Sequence, residues 1–310
     1  MTQTPATCPA IPAFLDRTVE TIEAGADTAA KLVVHGLPIT GKTAGGVDPW
    51  RAVAGGSFLI SYYHRRKGDL ERVTAALGDD QILLLDNGAF SAWRNGLELD
   101  DDYWQGFETW AAEILARVPQ AVAIVPDVIG GSVDDNLRLI RECTLPIERT
   151  MVVWHLNEPL ELLRYHIESG RYFIGIGSAG EFAQVGTAAW TARMTEAFDY
   201  LDALFADADF ASCYARPWLH MLRGIGVQGA WRFDSADSTN FAVNYKRQDK
   251  RGEAPAQFAA RIEGGARRGS GHRSVDERPT AIAADQAALA ELMREIWRES
   301  IDAGELALAA

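Results

Sequence analysis

Short runs of apolar and β-branched residues recur along this chain, separated by amphipathic stretches. The runs are KLVVHG (31–36), FLISYY (58–63), QILLLD (81–86), AVAIVPD (121–127), TMVVWH (150–155), RYFIGIG (171–177), WLHMLRGIG (218–226) and AWRFDS (230–235). Continuous apolar runs of this kind mark strands buried on both faces, as in parallel sheets. Between them, Tyr103–Val118 repeats Trp104, Phe107, Ala111, Ile114 and Leu115 at helical spacing. Further helices are predicted over Val133–Cys143, with Ser132 as N-cap and Asp135 near N3, and over Leu160–Ser169, Ala188–Phe205 and Gln286–Ile301. Eight strands with intervening helices predict an α/β fold, a (β/α)8 barrel. A doubly wound open sheet is the competitor, because strand count does not show closure.

The rhythm divides the chain into an N-terminal extension (1–30), a barrel core (31–245), a basic Gly-rich loop (246–280) and a C-terminal helix packed on the barrel (281–310). With 310 residues, 47% hydrophobic and 24% charged, a wholly disordered chain is excluded and a large core is available. No run approaches the roughly 18 apolar residues of a membrane span. The first twenty residues lack a basic start and an apolar stretch, so no membrane partner and a cytoplasmic location are expected. Cys8, Cys143 and Cys213 stand far apart, without a CxxC or a Cys/His cluster, giving neither a disulfide framework nor a zinc signature.

A net charge of −13 argues against a nucleic-acid partner until its distribution is considered. Between Lys246 and Arg273, eight basic residues face three acidic ones. A basic segment on an acidic body can contact phosphates, because the local field decides that; the plain alternative is a solvated loop.

In parallel α/β folds, chemistry gathers at the carboxyl ends of strands. Those ends carry His35, Tyr62, Tyr63, His64, Asp86, Asp127, His155, the loop Gly175–Glu181, Asp234 and Asp237. A single strand-terminal Asp commonly serves a turn, so the signal lies in the set. In LLLDNGAFSAW (83–93), Asp86 ends an apolar strand, and Gly88-Ala89 leaves room for a ligand beside backbone. Asp127 in AIVPDVIGG has the same character. The loop IGIGSAGEF (174–182) is a weak dinucleotide fingerprint and a better platform for a planar ring. In RFDSADSTNF (232–241), two carboxylates lie among hydroxyl donors that can orient a nucleophile.

Taken in order, these motifs resemble the tRNA-guanine transglycosylase superfamily. They are DNGAFSAW from Asp86, the strand-end Asp127, the G-x-x-x-G-E loop Gly177–Glu181, Leu222–Gly226 with an inserted arginine, and FDSADST through Thr239. The closer likeness is to the DNA 7-deazaguanine transglycosylases of phages and bacterial modification islands, and it covers about residues 58–245. The resemblance implies exchange of guanine for a free 7-deazaguanine such as preQ0, through a covalent Asp–C1′ ester and two inversions. No redox cofactor, ATP or metal is implied.

On that resemblance, Asp86 handles the proton of the leaving and entering base, and Asp127 reads the guanine edge. His155 falls where the RNA enzymes place a glutamine. Gly177, Ser178, Ala179 and Gly180 present backbone N–H groups to the purine carbonyl. Comparison with the tRNA enzymes picks Asp234 as nucleophile and the DNA branch picks Asp237, which is preferred. Tyr62, Tyr63 and Phe90 are stacking candidates. The Cys3His zinc site of the tRNA enzymes cannot be built here, and Asn87 replaces a serine. DNA is therefore favoured over tRNA as partner, with Lys246, Arg247, Lys250, Arg251, Arg267 and Arg268 as a phosphate track. A flipped or single-stranded base is expected, and a helper ATPase or helicase remains open. The rival readings are a metal-dependent barrel hydrolase using His35, His64, His155 and the Asp cluster, and a catalytically dead nucleic-acid-binding barrel.

Overall fold

A computed structural model describes residues 32–42, 46–224 and 231–268. Eight parallel strands close into a barrel in chain order. They are β1 (Leu32–Gly36), β2 (Ser57–Ser61), β3 (Leu83–Asp86), β4 (Ala121–Ile124), β5 (Thr150–His155), β6 (Phe173–Gly177), β7 (Trp218–Met221) and β8 (Ser235–Ser238). The circle is completed by β1 against β8, with Val34 opposite Asp237. This is the (β/α)8 barrel, and the open sheet is excluded.

The helices are α1 (Asp69–Ala76), α2 (Ala89–Arg94), α3 (Asp101–Arg117), α4 (Val133–Glu142), α5 (Leu160–Glu168), α6 (Ala188–Ala206), α7 (Ala208–Cys213), α8 (Asn240–Asp249) and α9 (Pro255–Arg268). The Ser132–Asp135 capping box forms as the sequence predicts, each residue satisfying the other's backbone N–H. Among the described residues, no helix is long and apolar enough to cross a membrane.

Side-chain parity sorts each strand into a barrel-facing and a helix-facing set. Leu32, Val34, Leu59, Leu84, Val122, Ile124, Met151, Val153, Phe173 and Trp218 fill the interior. The alternate residues Val33, Phe58, Ile60, Leu83, Leu85, Ala121 and Ala123 pack outward against α1, α3, α8 and α9. Val152, Trp154, Ile174, Ile176, Leu219, Met221 and Ala236 do the same against α4–α6. Continuing the inward parity upward brings Ser61, Asp86, His155, Gly177 and Asp237 to the mouth.

Two sequence expectations change. The last strand lies at Ser235–Ser238, not 230–235, because Trp231 and Phe233 pack outside the barrel against Trp190 and Phe198. The polar SADS takes the strand position instead, since Ser235 and Asp237 have polar partners inside. The segment expected as a basic loop is helical to Asp249 and again over Pro255–Arg268, with a short turn between. There Phe258 and Ile262, one turn apart, bury themselves with Phe241 and Tyr245. The N-terminal extension, Ile225 and Gly226 of the β7 motif, and the predicted C-terminal helix lie outside the described residues.

Candidate active site

Three carboxylates, Asp86, Asp127 and Asp237, meet at the mouth with one arginine. Asp86 is the last residue of β3, partly open to the mouth. Burial pushes its carboxyl up to about 6, and the neighbouring Asp127 and Asp237 charges add to the rise. The buried Ser61 hydroxyl, which lacks a partner at hydrogen-bonding geometry, lies near enough to oppose that rise in part, as does the Gly88 N–H. Gly88 holds φ +88°, and a Cβ there would stand 2.6 Å from Tyr63 Cβ and 2.7 Å from the Tyr103 hydroxyl. Glycine is thus required twice over in the DNG turn. Tyr103 donates to the Asn87 carbonyl at 2.8 Å. Burial and the Asp86 charge keep its phenol protonated.

Asp127 is buried just beyond β4. Asn87 Nδ2 donates to its Oδ1 at 2.7 Å and also to the Val125 carbonyl at 2.7 Å. Asn87 Oδ1 in turn accepts from the Ala89 N–H. Asparagine at 87 therefore ties the Asp86 turn to Asp127, a role the sequence reading missed.

The other Asp127 oxygen faces His155 Nε2 at 3.1 Å, and His155 Nδ1 lies 3.4 Å from buried Glu158. Burial opposes charging the ring, but the contacts to Asp127 and Glu158 outweigh it and raise His155 to about 10. Both ring nitrogens are thereby engaged within the protein, so His155 clamps Asp127 in this state. Glu158 is itself held, accepting from the His155 N–H at 2.7 Å and from Asn136 at 3.2 Å. Gly177 makes room for the clamp: a Cβ there would lie 2.9 Å from the His155 ring. Beyond it, Ser178 Oγ accepts from Trp190 Nε1 at 2.9 Å, Ala179 is buried, and Gly180 opens a short 3-10 turn at φ +57°.

Asp237 points inward from β8. Its Oδ1 accepts from the Arg223 N–H at 2.7 Å and faces His220 Nε2 at 3.3 Å. Among the described residues Oδ2 takes no partner. His220, fully buried on β7, was not among the candidates picked from the sequence, where it lies inside an apolar run. Its Nδ1 meets Ser235 Oγ at 2.8 Å, and that oxygen accepts the Trp218 indole N–H at 2.8 Å. Because indole can only donate, the serine proton is free to go to Nδ1, leaving Nε2–H to donate to Asp237.

Arg223, the inserted arginine, stands at φ +57° with its guanidinium 3.5 Å over the Phe90 ring. Burial works against its charge, and Asp237, Asp86 and Asp127 sustain it. Phe90 is thus on the mouth wall beside Arg223.

The remaining candidates are elsewhere or differ in role. Asp234 precedes β8 at the amino-terminal end of the barrel, and its carboxylate accepts from the Leu219 N–H at 2.7 Å. Three residues at about 3.3 Å each put it roughly 10 Å below Asp237. His35 has the outward parity and meets Glu263 on α9 at 3.1 Å. Tyr62 also turns outward, into Tyr103, Phe107 and Trp110. Lys246 and Arg247 sit in the last turn of α8, with Lys250 and Arg251 just past it, on exposed surface. That helix starts at the mouth, so Lys246 is about 9 Å along it, away from the strand end. Arg267 and Arg268 end α9, and their side chains lie outside the described residues.

Among the described residues, no three His, Cys, Asp or Glu side chains are placed to hold a metal ion. His35 faces outward, and His64 bonds Ser91 on the rim at 3.1 Å. His35 and His64 therefore do not join His155 at the centre of the mouth.

No protein-family model matches the chain, and no curated protein sequence does. Among solved structures, it is similar to a variant flavocytochrome b2 with sulfite bound, at 11% identity and TM-score 0.44, over 84% of this chain and 77% of that one. It is similar to the tryptophan synthase alpha chain of Legionella pneumophila at 12% identity and TM-score 0.43, over 82% of this chain and 95% of that one. Tryptophan synthase from M. tuberculosis gives 13% identity and TM-score 0.38, over 83% and 99%. Likeness at this level says nothing about ligand or reaction, and the barrel stands on its own strand pairing.

Proposed function

We propose that this barrel is an enzyme, a guanine transglycosylase that replaces guanine in nucleic acid by a free 7-deazaguanine, with DNA as the favoured substrate. The observation that carries the reading is the Asp237 carboxylate: two donors hold Oδ1, Oδ2 is unbonded, and Asp86 with its raised pKa shares the mouth. The order of motifs along the chain supplies the substrate class.

In the first step Asp237 Oδ2 forms a bond to C1′ while the C1′–N9 bond of guanine breaks, and the bonding pair leaves on the base. Asp86, protonated in part near neutrality, gives the departing base a proton. The incoming 7-deazaguanine then loses its N9 proton to Asp86 and attacks C1′, and the ester bond to Asp237 breaks. Two inversions restore the configuration, and no redox equivalent is consumed. Asp127, held by Asn87 and His155, retains lone pairs for the N1–H and exocyclic amine of the base. His155 acts by orienting Asp127. Phe90 and Arg223 supply a flat wall, and the Gly177–Gly180 loop follows β6, the neighbour of β7 in the barrel.

The test is incorporation of labelled guanine or preQ0 into single-stranded DNA, duplex DNA and tRNA in parallel. Incorporation into DNA that disappears in Asp86→Ala and Asp237→Ala supports the reading. A folded protein that exchanges no base into any of the three overturns it.

A further inference from the structure

Outside the mouth, the loop joining β2 to α1 carries Arg65, Arg66 and Lys67 in succession. Beneath them is a cavity of 410 Å³, walled by these three residues, Asp69 and Trp110, with an aliphatic floor. That volume is in the range of small-ligand sites. On a chain of net charge −13, Arg65, Arg66 and Lys67 stand side by side and form no ion pair among the described residues. The one acid in the wall, Asp69, accepts from the Arg66 backbone N–H at 2.9 Å, so its charge is directed at the loop. Arg65 is already set in place, its guanidinium 3.5 Å over the Tyr62 ring and donating to the Tyr62 carbonyl. Trp110 adds a half-buried aromatic wall.

The loop is tied to the reacting centre. Ser61, beside the Asp86 carboxyl, is its first neighbour on β2, and the Tyr62 N–H donates to the Asp86 carbonyl at 2.8 Å. His64 bonds Ser91, and Asn95 donates to the Tyr63 hydroxyl at 3.3 Å, joining the loop to α2. Arg65 lies four residues on from Ser61, at most about 14 Å of chain. A phosphate held here is therefore within a few nucleotides of a base reacting at Asp237.

We propose that the Arg65–Lys67 cavity is a nucleic-acid subsite. The three cations hold a backbone phosphate flanking the target nucleotide, and Trp110 stacks against the neighbouring base. This rests on the transglycosylase reading only in taking the ligand to be the substrate strand. It assigns the phosphate contacts near the mouth to this rim, ahead of the basic turn at the end of α8.

The test is anisotropy of a fluorescent guanine-containing single-stranded DNA across a salt series. It compares wild type, combined Arg65→Ala, Arg66→Ala and Lys67→Ala, and combined Lys246→Ala, Arg247→Ala, Lys250→Ala and Arg251→Ala. Each lost phosphate contact lowers the log affinity–log salt slope by about 0.7, so the rim variant, which gives up one phosphate, is expected to lose about 0.7 from the slope and about tenfold in affinity. The α8 variant is expected to change less, and Trp110→Ala to weaken binding about tenfold. Without any substitution, the oligonucleotide is expected to shield Lys67 from acetylation in wild type. A folded rim variant with unchanged slope and Lys67 labelled equally with and without DNA overturns the subsite. So does loss confined to the α8 variant. If wild type still exchanges bases in either case, the transglycosylase reading stands alone; wild type that binds no oligonucleotide defeats both.

Discussion

Replacing Asp86 by asparagine is expected to stabilise the protein while disabling it. The substitution keeps the shape and the acceptor facing the Gly88 N–H but removes a charge that the fold disfavours. The carboxyl rises from 3.8 to about 6 on folding, and each pH unit is worth about 1.4 kcal/mol, so the charged form costs at most about 3 kcal/mol. Asp86 is partly open to the mouth; solvent screening reduces the working figure to about 2 kcal/mol. Because the folded pKa is the higher one, the folded state holds a proton between pH 3.8 and about 6 that the unfolded chain releases. Stability from this group is full below that window and lost as pH rises through it. Urea unfolding of wild type and Asp86→Asn at pH 4 and pH 7.5 reads the difference directly. The variant should match wild type at pH 4 and exceed it by about 2 kcal/mol at pH 7.5, while base exchange falls about 10²–10⁴-fold. A variant with no stability advantage that grows with pH would refute the argument that burial and Asp127 and Asp237 strain this carboxyl.

Three further outcomes follow from the geometry. Asp234→Ala should cost about 1–3 kcal/mol through the orphaned Leu219 N–H and keep exchange, whereas Asp237→Ala should abolish it; the reverse pattern in unfolding and exchange assays would move the nucleophile. His220→Ala should slow formation of the covalent intermediate by about one to two orders of magnitude with the KM for the free base unchanged, measured in single turnovers; equal rates would reduce the Trp218–Ser235–His220 chain to packing. Gly177→Ala puts a methyl group 2.9 Å from the His155 ring, so the Asp127 clamp shifts and the KM for guanine should rise more than about tenfold; an unchanged KM would dissociate Asp127 from base recognition.

Much of this arrangement was legible in the sequence because a parallel barrel advertises its strands as apolar runs and its chemistry at their ends. Asp86, Asp127, His155 and the Gly177 loop were placed that way. Parity was harder to read. Since both faces of such strands are apolar, nothing in KLVVHG says that His35 looks toward α9 and not into the mouth. The same blindness shifted β8: Trp231 and Phe233 are the apolar residues, but they serve the outer core, and the strand itself is SADS. That offset puts Asp237, and not Asp234, at the mouth. His220 could have been noticed as a polar residue in mid-strand, and Arg223 as the one cation in the β7 motif. Their partners, however, come from β8 and α2, and only closure of the barrel brings them together.

The most direct measurement is the mass of the protein after incubation with guanine-containing single-stranded DNA and an acid quench. The account predicts a protein–DNA species from which one guanine has been lost, with the ester mapped by peptide mass to Asp237 and released on adding preQ0. Turnover of the base without any covalent species, or an ester at another residue, would contradict it.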